Sequence, residues 1–197
     1  MGCHGSHSAL PPTGAEVINV CARCHQHEGQ AFDRGPHARA VRTGKLSGCI
    51  GCHSNHDTER VSADRIAASC ARCHPAGTRA SVLGANIQRS ALQATDDLRS
   101  ADSAIQRLTL AGVQTGDARF RYQTALTAYL QIGEAQHALD LERLDDLGRR
   151  VGSISRDLRG LAEVAEERQW EHKLLLVPVW FLALASLALV WLTLRAH

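Results

Sequence analysis

The chain has 197 residues, 44% of them hydrophobic, with a formal net charge of +2. In residues 1–77 eight basic side chains stand against six acidic ones, an excess too small and scattered for a nucleic-acid footprint; no phosphate-cradling glycine loop or nucleophile elbow supports nucleotide or hydrolase chemistry. All seven cysteines and eight of the eleven histidines precede Pro75, so the chain divides into three unlike segments, 1–77, 78–172 and 173–197.

In chain order, the first segment comes with few large apolar side chains: Leu10, Val17, Ile18, Val20, Phe32, Val41, Leu46, Ile50, Val61 and Ile66 are nearly all of them. Such a segment needs disulfides, metals or a bound cofactor to fold. Its cysteines fall in a repeated string: Cys21-Ala-Arg-Cys24-His25, Cys49-Ile-Gly-Cys52-His53 and Cys70-Ala-Arg-Cys73-His74. This is the CxxCH spacing of covalent haem attachment. Thiols three positions apart share one face of a helical turn and can each add to a haem vinyl group, while the following histidine offers its imidazole to the iron. Structural zinc and a thioredoxin-like redox pair are the rivals; neither requires a histidine directly after the second cysteine, and here it stands there three times.

At the start of the chain, Met1-Gly2-Cys3-His4 reads as the end of a fourth such motif whose first cysteine precedes Met1, because Gly5-Ser6-His7 continues as Ser54-Asn55-His56 continues after His53. On that reading Cys3 and His4 belong to a fourth haem. Haem attachment takes place outside the cytoplasm, so a secretion signal is expected further upstream.

The run Gly35-Pro36-His37-Ala38-Arg39-Ala40, the string Cys49 to His56, and the spacer to Cys70-Ala71-Arg72-Cys73-His74 resemble the repeat of multihaem c-type cytochromes of the class III, tetrahaem and NapC-like groups. The resemblance covers residues 1–77. It implies haem c as the cofactor, His4, His25, His53 and His74 as proximal ligands, and His7, His37 and His56 as distal ligands. His27, two residues after His25, cannot reach the far face of the same haem and is nominated for a neighbouring one. Iron closed by two histidines suits electron transfer, whereas substrate chemistry needs an open position; no CxxCK variant marks a catalytic haem. No catalytic residue is nominated.

From Thr78 the composition turns to Ala, Leu, Gln, Asp and Arg, with no proline before Pro178, and predicts a long antiparallel α-hairpin stalk. Its first seam runs through Ile87, Ala91, Ala94, Leu98, Ala101, Ile105 and Leu108. Gly112 to Gly116 break it, and Asp117 is read as the cap of a second, unbroken helix. That helix's seam passes through Leu126, Leu130, Gly133, His137, Leu141, Leu144, Leu147, Val151, Ile154, Leu158, Leu161 and Ala165. A helix of about 80 Å outruns the first, so a second protomer or another subunit is expected along it. His137, on this seam, invites a ligand or quinone role, but a packed, register-setting residue is the reading favoured.

Leu174 to Leu194 is 21 residues without a charge, against about 20 needed to cross a bilayer. A single transmembrane helix is expected, with Trp180 and Trp191 near its ends, Lys173 and Arg195 as interfacial anchors, and Pro178 in its first turns. Haem attachment puts the N-terminal segment on the periplasmic side of the inner membrane and the C-terminus in the cytoplasm. The fold class is therefore mainly α: an irregular haem-packed segment, a helical stalk and one membrane helix.

Three functions are open. The favoured one is electron relay between redox partner proteins. The second is an enzyme, either a quinol dehydrogenase or part of a multihaem reductase. For it Glu166, Glu167, Glu171 and His172 stand at the level for quinol protons, although charges flanking a membrane helix are routine. The third, a redox sensor, lacks an output domain after Leu194.

Overall fold

The computed structural model describes residues 12–54 and 62–195. Among them every regular element is helical. Short helices α1 (Ala15–Cys21), α2 (Gln26–Arg34), α3 (His37–Arg42), α4 (Ile50–His53) and α5 (Ile66–Ala71) form the head. Its own core is small, Ile18, Phe32, Ala38 and Val41 with Leu46 and Cys49 against them, as the scarcity of apolar side chains requires.

Three long helices follow: α6 (Arg79–Leu110), α7 (Gly116–Ala138) and α8 (Leu141–Arg195). Thr78 caps α6, its hydroxyl accepting from the Ser81 amide at 3.3 Å. The expected hairpin is formed by α6 and α7, but the second helix is not unbroken. It stops at Leu139, which takes a left-handed conformation (φ 56°), and the Asp140 carboxylate then accepts from the Arg143 amide at 3.0 Å to start α8. The stalk is thus an up-down-up bundle of three helices, so the partner expected along the second helix is in large part supplied by α6 itself. Asp117 lies in the first turn of α7, with Thr115 at its N-cap.

One apolar cluster joins Ile87 and Ala94 of α6, Ala128, Ile132 and Ala135 of α7, and Leu144, Leu147 and Val151 of α8. A second joins Ala101, Ala104, Ile105 and Leu108 to Ala118, Leu158 and Ala162. The α6 seam is the expected one. On α7 the buried face is Ala118, Ala125, Ala128, Ile132 and Ala135, not Leu126 and Leu130, and Leu130 is 68% exposed. The physical reason is the break at Leu139, which resets the helical phase; α7 turns its alanines inward because small side chains permit close approach to two neighbours.

Beyond the bundle α8 continues unbroken and exposed, with a mean hydropathy of 2.4 over its most apolar window, long and apolar enough to cross a membrane. Cation–π contacts bracket this stretch, Lys173 over Trp170 at 5.8 Å and Arg195 over Trp191 at 4.4 Å. Pro178 does not sit in a first turn: α8 begins at Leu141, so the proline is interior and removes the hydrogen bond to the Leu174 carbonyl.

Where α8 leaves the bundle, the Arg107 guanidinium grips Glu166 through two bonds of 2.7 and 2.5 Å. This hydrogen bond, then the guanidinium charge, holds the Glu166 carboxyl below its ordinary value. A depressed carboxylate contributes stability above its unfolded pKa and loses it as pH falls through the folded one. Thermal melts at falling pH should therefore show the wild type losing part of its advantage over Glu166→Gln below about pH 4.5; parallel curves for the two proteins would show the pair to be energetically silent.

Candidate functional site

The three CxxCH strings fold alike. In each, the backbone amides of the second cysteine and of the histidine both donate to the carbonyl of the first cysteine: Cys24 and His25 to Cys21 at 3.1 and 2.9 Å, Cys52 and His53 to Cys49 at 3.1 and 3.0 Å, Cys73 and His74 to Cys70 at 3.2 and 3.0 Å. A single helical turn thus holds both sulfurs and the imidazole, and in every copy the first cysteine is half-buried and the second exposed.

The motifs are neighbours. Burial first, then the adjacent Cys21 thiol, pushes the Cys49 thiol up to about 11. Burial also raises Cys70, with Cys52 adding to it. Arg72, inside the third motif, donates to the carbonyls of Gly51 and Cys52 in the second at 3.2 and 3.0 Å. The third motif rests on α6 at Gly84, where an added Cβ would stand 2.6 Å from the Cys70 sulfur. The Ala67 amide donates to Gln88 Oε1 at 2.9 Å and completes the seat of α5.

His37, nominated as a distal ligand, faces His74, the proximal histidine of the third motif. Their ring centroids are 6.1 Å apart and their planes 17° from parallel. Two imidazoles on one metal, each with a metal–nitrogen bond of about 2 Å, put their centroids about 6.2 Å apart. The pair therefore fits the axial positions of a haem held by Cys70 and Cys73. Burial, then the facing His74, keeps the His37 imidazole below its ordinary pKa. Among the described residues no three His, Cys, Asp or Glu side chains are grouped so as to hold a metal ion by themselves.

The other nominees are less gathered. His25 is exposed at the start of α2, its Nδ1 4.0 Å from Glu28, and His27 is exposed on the same turn. Cys3, His4, His7 and His56 lie outside the described residues. His53, of the second motif, faces a residue of the stalk: the ring of His137 stands 6.0 Å away with planes 10° from parallel. Gly84 escaped the sequence reading altogether, and its one signal is a glycine where a helical composition would not place it.

Residues 20–96 match the family model described as cytochrome c554 and c-prime. This match supports a c-type cytochrome that transfers electrons. It takes in all three complete CxxCH strings of the cytochrome and also the first part of α6, the helix that seats Cys70. Covalently bound haem c is the cofactor such a cytochrome carries. No curated protein and no solved structure matches the chain.

Proposed function

We propose that this chain is a membrane-anchored multihaem cytochrome c, with haems at Cys21/Cys24, Cys49/Cys52 and Cys70/Cys73, that relays electrons between redox partner proteins. The observation that carries the reading is the His37–His74 pair: at their 6.1 Å spacing the two imidazoles would hold a haem iron between them and leave it no open position, which suits electron transfer. The contact of the second motif with the first and third supports passage from haem to haem. The haem supplies the redox chemistry, and the chain's own part is to tether it, close its axial positions and set its burial.

The apolar end of α8 fits an anchor, and the need for haem attachment outside the cytoplasm supports a periplasmic head. The bundle acts as a spacer. The continuous helix from Leu141, at the head end of the bundle, to Leu174 rises through 33 steps, about 50 Å at 1.5 Å per residue. A quinol within the bilayer would stand that far from the second and third motifs, beyond direct electron transfer. Glu166 is also engaged by Arg107, whose hydrogen bonds favour its charged form, which weighs against its taking up a quinol proton. The partners that fit are therefore proteins meeting the head, whether soluble or rising from the membrane to its height.

A pyridine haemochrome spectrum, quantified per polypeptide on protein made with a haem maturation system, tests the reading. Three or more haems c are expected, and one fewer in Cys70→Ala/Cys73→Ala. Stoichiometric zinc without covalent haem would overturn it.

A further inference from the structure

His137 sits in the last turn of α7, half-buried, in a helix that belongs to the stalk and not to the head. Its Nδ1 lies 2.6 Å from the carbonyl oxygen of Gly133. A carbonyl only accepts, so Nδ1 carries the proton and donates, and Nε2 is left with its lone pair. That is the tautomer of a metal-binding histidine whose second ring nitrogen is oriented by the backbone.

The ring is aimed by packing as well. One turn before it, Glu134 accepts from Arg34 of α2 at 2.8 Å and from Arg143 of α8 at 3.4 Å. Gly35, at the end of α2, lies so near the helix terminus that an added Cβ would stand 3.2 Å from the carbonyl oxygens of both His137 and Ala138. Head and stalk are thus locked together beside His137. The resulting His53–His137 geometry, 6.0 Å and 10°, repeats that of His37–His74, 6.1 Å and 17°. In both pairs one member is the histidine of a CxxCH turn and the other comes from a remote helix.

We propose that His137 is the second axial ligand of the haem carried by Cys49 and Cys52, opposite His53. The inference rests on the haem reading above. It makes the stalk part of the haem site: the iron bridges α4 and α7, and the end of α7 is held to the head by a coordinate bond in addition to the Arg34–Glu134 ion pair.

The test is the axial ligation of the purified holoprotein, read by electron paramagnetic resonance and near-infrared magnetic circular dichroism, with haem content counted in the same samples. In His137→Ala one haem per chain should turn from low spin to high spin with the haem count unchanged, and added imidazole should restore it. In His137→Met, which keeps a donor at that position, one haem should stay low spin, acquire a methionine-ligation signature and titrate at a higher potential. Gln131→Ala, at an exposed position of the same helix, serves as the control and should leave the haem count and spin states as they were. If both His137 variants keep the wild-type count, spin states and potentials, His137 is a packing residue and the proposal falls. Absence of haem from the wild type would instead overturn the haem reading itself, so the two failures are told apart by the count.

Discussion

Gly84→Leu is expected to cost the protein one covalent haem. Gly84 is buried in α6 directly beneath α5, and a Cβ there would meet the Cys70 sulfur at 2.6 Å and the Cys70 Cβ at 2.9 Å. The sulfur can turn about χ1, but the Cβ is fixed to the backbone and cannot swing aside. The Cys70 carbonyl is held by the amides of Cys73 and His74, so the cysteine moves only if the whole attachment turn moves with it. Lifting α5 would also break the Ala67 to Gln88 hydrogen bond and draw His74 away from His37. The haemochrome count should fall by one and the low-spin signal of the His37–His74 haem should be lost. Gly160→Ala, where an added Cβ meets nothing within 4 Å, should leave both unchanged and gain slightly in helix propensity. A full haem count in Gly84→Leu would show that the third motif does not depend on its seat against α6.

Leu144→Ala is expected to be the most damaging single truncation in the bundle. Leu144 is fully buried and belongs to the cluster where α6, α7 and α8 meet. Leucine-to-alanine changes at such sites cost about 3 to 5 kcal/mol, the upper end where the surroundings cannot collapse. For a chain of this size each kcal/mol lowers the melting midpoint by about 2–4 °C, so a drop on the order of 10 °C should be read by circular dichroism at 222 nm. Leu130→Ala is the informative comparison. Sequence periodicity put Leu130 on the packed seam, whereas the fold leaves it 68% exposed, and its truncation should stay within about 0.5 kcal/mol. Equal losses in the two variants would mean that the sequence seam, and not the alanine face, is the one that packs.

The CxxCH turns, the helical stalk and the apolar C-terminal run were all legible in the sequence, because each rests on a signal carried by consecutive residues. A CxxCH string needs only its own five residues to bring two sulfurs and an imidazole onto one turn. Twenty-one uncharged residues satisfy the length of a bilayer whatever precedes them. The α6 seam was legible for a related reason: Ile87 to Leu108 lie on one uninterrupted helix, so a constant period carries the face from end to end.

Periodicity failed where it was carried across a break. Leu139 enters a left-handed conformation that a leucine seldom adopts, and no glycine or proline announces it. The single helix expected from Asp117 onward is therefore two, and the face assigned to α7 was displaced from its alanines onto Leu126 and Leu130. The same turn decides the surroundings of His137. In sequence it is one histidine on an apolar stripe, for which packing is the ordinary expectation. What the sequence by itself determined is thus the three CxxCH turns and the uncharged apolar run, which depend on adjacent residues. Only the tertiary structure decided which histidines face one another and where the sulfur of Cys70 finds room, because those meetings join residues 37 and 74, 53 and 137, and 70 and 84, whose separations are set by helix packing and not by spacing along the chain.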